Sequence, residues 1–310
     1  MLWLLIPVAV IILFFAISHW TYMVAFHSPK DHDADPCQPI RGKQYEAVWD
    51  QMLLGVQMIQ KETFEPVYIT SYDGTKLFGR YYHRCDNGPI QIIFHGYRSP
   101  GIRDCSGGSL LALKSGRNVL MVDQRAHGKS DGRVISFGIR ERRDCLCWIE
   151  YVTKRFGRNI PIVLSGISMG AATVLMATDL ELPASVKCIV ADSPYSSPVR
   201  IIQKVCADMK YPVKLTKPFL YCGASVFGGF DLNESSAVEA VRRCNIPILL
   251  IHGDDDRFVP CEMSKEIFAA GNDIRLEIFP GAGHGLSYLT DKSRYELVTT
   301  EFINSTLQSN

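Results

Sequence analysis

Six short apolar runs constrain this chain more than any other feature. They are Ile90-Gln-Ile-Ile-Phe94, Asn118-Val-Leu-Met-Val122, Ile160-Pro-Ile-Val-Leu164, Val186-Lys-Cys-Ile-Val190, Ile246-Pro-Ile-Leu-Leu-Ile251 and Ile274-Arg-Leu-Glu-Ile-Phe279. Each is β-rich and nearly continuously apolar, and helix-length segments separate them. A strand that is apolar on both sides must be covered on both sides, and strands joined by helical crossovers run parallel. The pattern therefore predicts a central parallel sheet between two layers of helices. Ahead of it, Val67–Thr70 and Leu77–Tyr82 flank Asp73-Gly74, which predicts an antiparallel hairpin leading into the sheet. The stretch from Pro194 to Cys244 is too long for one crossover helix and contains Pro212, Pro218 and Gly228-Gly229. It reads as short helices inserted above the carboxyl ends of the strands, where α/β sheets bind ligands.

One junction in this layout carries chemistry. The third run continues into Gly166-Ile167-Ser168-Met169-Gly170, followed by Ala171-Ala172. A chain that leaves a strand and starts a helix within so few residues must turn sharply, and the residue at the apex is forced toward positive φ. Glycine on both sides removes the Cβ atoms that would collide. The turn then presents the Ser168 hydroxyl at the N-terminus of the next helix, where free N–H groups favour negative charge.

A serine hydroxyl is a weak nucleophile and needs a base, which in turn needs an acid to hold its tautomer. The fifth run leads into His252-Gly-Asp254-Asp255-Asp256-Arg-Phe-Val-Pro260, and the last into Pro280-Gly-Ala-Gly-His284-Gly285. Carboxylates and histidine thus follow strand ends on the same edge of the sheet as Ser168, in the chain order Ser, Asp, His. An oxyanion also needs two donors. The N–H of Met169 is one; the other is assigned to the N–H of Tyr97, in the loop His95-Gly96-Tyr97-Arg98 after the first run.

With these pieces assembled, residues 63 to 306 resemble the α/β-hydrolase-fold serine hydrolases. The motifs that carry the resemblance are His95-Gly96-Tyr97, Asp123-Gln-Arg-Ala-His-Gly-Lys-Ser130, Gly166–Gly170, His252–Pro260 and Gly283-His284-Gly285. Within that fold the chain is similar to membrane-anchored bacterial hydrolases and to the Bem46-like proteins. The resemblance implies a mostly parallel eight-stranded sheet with helices on both faces and a small helical lid at about 194–244. It also implies Ser168 as nucleophile, His284 as base and Asp256 as acid, with Asp254 the alternative; Asp192 occupies an acid position of some relatives. His95, His127 and His252 are read as structural, and Asp123 is expected to pair with Arg125.

Leu2 to Phe26 carries no charged side chain. As a helix it would be roughly 37 Å long, more than a ~30 Å hydrocarbon core. Trp3, Trp20 and Tyr22 fall near its ends, where interfacial aromatics belong. Residues 1–26 are expected to be a transmembrane anchor, with a cleaved secretory signal as the alternative. Lys30, Asp31, Asp33 and Asp35 give no orientation. Residues 27–62 are expected to be a linker followed by an amphipathic helix, Tyr45–Lys61. Within the linker, His32-Asp33-Ala34-Asp35 reads as a solvated stalk rather than a metal site.

The net charge of +1 gives no field that would attract nucleic acid. The ten cysteines are scattered in no metal-binding spacing, and several sit in apolar runs, as buried thiols do. No metal or organic cofactor is required. The expected activity is hydrolysis of a small-molecule carboxylic ester through an acyl-enzyme. The alternatives are a peptidase or amidase on the same fold, a monoacylglycerol-type lipase, and a non-catalytic binding protein on a hydrolase scaffold. Phe219, Leu220, Tyr221, Val226 and Phe227 in the insert would suit a lipid-like ester.

Overall fold

The computed structural model describes residues 2–29, 35–40 and 42–308, with side chains from Ile6 onward. Trp3, Lys30, Asp31, His32 and Asp33 therefore lie outside what can be compared with the expectations above. Eight strands form one sheet: β1 (Glu65–Thr70), β2 (Lys76–Tyr82), β3 (Ile90–Phe94), β4 (Asn118–Asp123), β5 (Ile162–Ile167), β6 (Val186–Asp192), β7 (Ile248–Gly253) and β8 (Ile274–Phe279). Their spatial order is β1-β2-β4-β3-β5-β6-β7-β8. The β2 strand is antiparallel to β1 and β4, and every other pairing is parallel. This is the α/β-hydrolase architecture. Strands β5 and β7 each begin two residues later than their apolar runs, at Ile162 and Ile248. Pro161 and Pro247 precede them; proline has no N–H to give a ladder, though both carbonyls accept, from Ile90 N and Ile189 N.

The helices are α1 (Leu2–Ala25), α2 (Lys43–Glu46), α3 (Trp49–Lys61), α4 (Gly101–Lys114), α5 (Glu141–Phe156), α6 (Met169–Ala177), α7 (Pro198–Asp208), α8 (Val213–Cys222), α9 (Ala237–Val241), α10 (Glu262–Ala270), α11 (Ser287–Thr290) and α12 (Lys292–Gln308). A π-helical turn, Gly223–Phe227, extends α8. The helix expected over Tyr45–Lys61 is two helices, because Val48 at φ −119°, ψ 2° reorients the chain between them. That break lets α3 pack against α4 while α2 leans over the loop that carries His284.

The two faces of the sheet are covered differently. On one, Ile92, Leu120, Leu164 and Ile189 join Trp148, Ile149, Val174 and Leu175 of α5 and α6 in a single apolar core. On the other, the apolar residues fall into two clusters. One gathers Val163, Val190 and Leu249 against α12; the other gathers Ile93, Val119 and Met121 against α3 and α4. Between them lie Gln91 and Ser165, whose side chains hydrogen-bond at 2.9 Å.

Helix α1 is half free and half docked. Val10, Ile12 and Leu13 are each at least 60% exposed. Toward the other end, Ser18, Thr21 and Tyr22 are buried against α8 and the π-turn. Thr21 Oγ1 donates to Phe219 O at 3.1 Å, and Tyr22 lies beside Phe227. Tyr22 is thus not an interfacial aromatic, because the insert covers it; Trp20 remains exposed. Phe26 is fully buried between Phe137 and Phe230. Among the described residues one helix, Ile6–Ala25, is long and apolar enough to cross a membrane, a property that anchors and signal sequences share.

Candidate active site

Sheet register assembles the site. Phe94 of β3 pairs with Gly166 of β5, so the loop leaving β3 and the turn leaving β5 emerge side by side. Ile167 pairs with Asp192, Asp192 with Ile251, and Gly253 with Phe279, which carries the rim across to the loops after β7 and β8. At the turn itself Ser168 has φ 55°, ψ −115°, a conformation that costs about 1–3 kcal/mol and persists only where its surroundings fix it. The residues two before and two after it must be glycine. A Cβ on Gly166 would stand 2.3 Å from the Gly170 carbonyl carbon, and one on Gly170 would stand 2.1 Å from Phe94 O.

Ser168, His284 and Asp256 come together. Ser168 Oγ lies 2.9 Å from His284 Nε2, and His284 Nδ1 lies 2.7 Å from Asp256 Oδ2. A carboxylate can only accept here, so Nδ1 carries the proton and Nε2 is free to accept from the serine. The Phe258 ring stands edge-on to the imidazole at 5.1 Å. Asp256 Oδ1 accepts from Phe258 N and Val259 N at 2.9 and 2.8 Å, and His252 Nε2 approaches Oδ2 at 3.2 Å. Burial alone would raise this carboxyl. The hydrogen bonds from His252 and His284 outweigh burial and hold it well below the usual carboxylate range.

The other candidates lie elsewhere. Asp254 accepts from Gly281 N at 2.6 Å and shapes the turn before His284. Asp192 is buried; burial pushes its carboxyl up, and it accepts from Ser193 Oγ at 2.9 Å. His95 accepts from Gln124 N, His127 accepts from Arg98 N, and His252 bonds Ser264 Oγ and Val259 O, so all three brace loops. Asp123 does not pair with Arg125. It pairs with Arg80 at 2.8 Å, while Arg125 binds Asp144 through two nitrogens at 2.6 Å and Asp73 at 2.8 Å. Antiparallel β2 brings Arg80 alongside Asp123, and α5 brings Asp144 to Arg125; proximity in sequence was the wrong guide.

Sequence reasoning missed three supports of the site. Asp104 of α4 accepts from Gly96 N at 3.0 Å and fixes the loop before Tyr97. Tyr45 of α2 donates to His284 O at 3.2 Å. The C-terminal carbonyls of α1 are the third: Tyr97 Oη donates to Ala25 O at 2.8 Å, and Arg98 donates to Val24 O and His27 O at 3.0 and 2.6 Å. Arginine at a helix C-terminus also complements the dipole. Asp104 sits one turn into a helix that begins after Pro100, a placement the sequence displays; the other two depend on tertiary docking. The aromatics of the insert do not line the space at Ser168. Phe219 packs on Phe14, and Phe227 on His19 and Tyr22.

That space is a cavity of about 440 Å³, within the range of small-ligand sites, with Ser168, His284, Phe258, Gly96 and Tyr97 at its mouth. Among the described residues no group of three or more His, Cys, Asp or Glu converges to hold a metal ion. All ten cysteines are free, and Cys105, Cys145, Cys188, Cys244 and Cys261 are buried.

Residues 136–310 match the prolyl oligopeptidase family, more than half of the chain. The chain belongs to that family. The matched part of this prolyl oligopeptidase family member includes Ser168, Asp256 and His284 but not the Gly96–Tyr97 loop. The chain is 25% identical over 197 residues to the Bacillus subtilis protein YqkD, covering 63% of this chain. It is 26% identical over 224 residues to human protein ABHD12B, covering 65% of this chain. The matches span 65% and 57% of those two relatives' own lengths. Among solved structures, the Pyrococcus furiosus esterase Pf2001 superposes with a TM-score of 0.63 at 23% identity, covering 80% of this chain and 94% of that one. At that identity the likeness speaks to fold. This family member has the α/β-hydrolase fold.

Proposed function

We propose that the chain hydrolyses carboxylic esters of small molecules, with Ser168 as nucleophile, His284 as general base and acid, and Asp256 as the carboxylate that orients the imidazole. One observation carries this reading: a continuous line from Ser168 Oγ through His284 to Asp256, with contacts of 2.9 and 2.7 Å, that starts at a serine held at φ 55°. His284 Nε2 takes the hydroxyl proton as Oγ attacks the carbonyl carbon. The carbonyl electron pair moves onto oxygen, which the amides of Met169 and Tyr97 receive. Collapse breaks the bond to the alcohol, and His284 returns the proton to it. Water then repeats the sequence on the acyl-enzyme, releasing the acid and restoring Ser168. No metal or organic cofactor enters these steps.

Residues 63–306 form the hydrolase domain on this reading, with the insert at 194–244 as lid and residues 1–26 as a membrane anchor. Its support is the exposed apolar surface of the first turns of α1, joined to last turns that Thr21, Tyr97 and Arg98 tie to the catalytic domain. Cleavage of a signal sequence ahead of Thr21 would remove the exposed apolar turns and leave these contacts on the mature chain. The family match favours a second reading, hydrolysis of an amide or peptide bond. The insert aromatics lend no support to a lipid ester, since they are occupied by α1.

A fluorophosphonate probe on the full-length chain in detergent tests the nucleophile. Ser168→Ala should abolish labelling and lower kcat by about 10⁴–10⁶-fold, as removal of such nucleophiles does. Labelling as strong as wild type would overturn the assignment. Acyl nitrophenyl esters set against aminoacyl nitroanilides separate ester from amide preference.

A further inference from the structure

The cavity does not stop beneath Ser168. It continues along the polar seam of the divided face, past Ser165 and Gln91, and ends at Arg117, the residue before β4. Gln91 is in register with Val163, five residues before Ser168, so the seam reaches about 16 Å below the nucleophile at ~3.3 Å per strand residue. Arg117 is 97% buried (3% exposed). Its Nε donates to Gln91 Oε1 at 3.1 Å, and among the described residues no carboxylate forms an ion pair with it. A buried guanidinium without a counter-ion is costly to hold, and its fork geometry matches a carboxylate. Burial pushes this guanidinium down to about 10, so it stays charged at neutral pH.

We propose that this cavity is the acyl site, and that Arg117 receives a carboxylate at the far end of a linear acyl chain: the preferred substrate is a monoester of a long-chain dicarboxylic acid. The inference rests on the serine-hydrolase reading of Ser168. Three features of the cavity select this chemistry. Gly107 and Gly108 of α4 keep its wall thin, and a Cβ on Gly108 would meet nothing within 4 Å. The deep end carries one fixed positive charge, because the other arginine on the wall, Arg103, is matched by Asp104 at 3.8 Å. A monoanion balances that end, whereas a phosphate dianion would leave charge over. The deep end is also closed, with Gln91, Arg117, Ser165 and Thr299 all buried, while Phe258 at the mouth is 41% exposed. The alcohol must depart before water can attack, so it belongs at the mouth; the acyl group, retained on Ser168, belongs in the blind channel.

The test compares kcat/KM of the full-length chain for mono-4-nitrophenyl dodecanedioate and 4-nitrophenyl dodecanoate. The acid-terminated ester should be favoured by about ten- to a hundredfold, the worth of a charge-assisted hydrogen bond, chiefly through KM. Arg117→Met should bring that ratio to one or below, and Arg117→Lys should keep part of it. The ratio does not depend on how much of a variant is folded. A mono-4-nitrophenyl succinate, too short to reach Arg117, should show no such dependence on the variant. A ratio near one in wild type, or unchanged in Arg117→Met, overturns the proposal. Binding separates this failure from failure of the catalytic reading. Dodecanedioic acid should raise the Tm of Ser168→Ala more than dodecanoic acid does, and should lose that advantage in Ser168→Ala/Arg117→Met. Esters left intact with that advantage present would remove the catalytic reading and leave the carboxylate site. Hydrolysis without either preference would do the opposite.

Discussion

The two faces of the sheet are made from the same strands and behave as different materials. Toward α5 and α6, alternate residues of β3, β4, β5 and β6 supply Ile92, Leu120, Leu164 and Ile189, and the helices fill the space between them down to Trp148. Toward α3, α4 and α12, the intervening residues include Gln91 and Ser165, and the helix above them carries two adjacent glycines. A strand has period two, so one sequence can give a sealed hydrophobic layer on one side and a polar channel on the other. The sealed side holds the turn at Ser168 rigid; the channelled side gives whatever reacts there somewhere to lie.

If that division is right, the sealed face should bear most of the stability. Trp148 is 1% exposed, and its ring reaches the position where a Cβ on Gly79 would stand. Trp148→Ala should cost about 3–5 kcal/mol in urea unfolding, the loss expected for a buried aromatic, with turnover per folded molecule retained. A cost under about 1 kcal/mol would mean that this layer is not the one that holds the fold together.

Acid should act at the mouth of the channel and not on the sealed layer. The Asp256 carboxyl is held below its unfolded value by His252 and His284. Between the two values the unfolded chain binds a proton that the folded chain does not. The stability this carboxylate contributes is therefore complete above about pH 5, begins to fall as pH enters the ordinary carboxyl range, and is fully lost only at the much lower folded-state value. Measured at pH 7 and pH 4, the penalty of Asp256→Asn should shrink on the acid side while that of Trp148→Ala stays constant. Equal pH dependence in both variants would break the distinction.

The sealed face and the rim were the legible parts of the sequence, and the reason is local. Apolar runs with helix-length spacing dictate a covered parallel sheet. Gly166 and Gly170 flank Ser168 because a Cβ at either would collide with backbone, a constraint visible within five residues. His284 follows the last strand in a glycine-rich loop that only the rim can accommodate. The channelled face was illegible for the opposite reason. Gln91 and Ser165 are single polar residues inside strands, Arg117 precedes one, and only the β3–β5 and β3–β4 registers together bring the three into one place. The same limit produced the mistaken Asp123–Arg125 pair: charges two apart in sequence found partners on β2 and α5 instead. It also hid the fate of Tyr22, Phe219 and Phe227, whose mutual packing depends on α1 docking against the insert.

The smallest expected effect is the sharpest probe of whether the channel is open in solution, because two adjacent glycines make opposite predictions. Both Gly107 and Gly108 lie inside α4, where alanine is favoured over glycine by about 0.5–1 kcal/mol through backbone entropy alone. A Cβ on Gly107 would stand 2.9 Å from the Tyr288 ring, closer than carbon atoms approach without displacement. A Cβ on Gly108 would enter open space on the channel wall. Gly108→Ala should therefore raise Tm by about 1–3 °C, the shift such a gain gives a chain of this size. Gly107→Ala should give no gain or a loss, since the helix preference must be set against moving Tyr288. Should Gly108→Ala lower Tm as much as Gly107→Ala, the wall of α4 is in contact with the sheet, the seam is packed, and the two faces do not differ in the way that lets one of them hold a substrate chain.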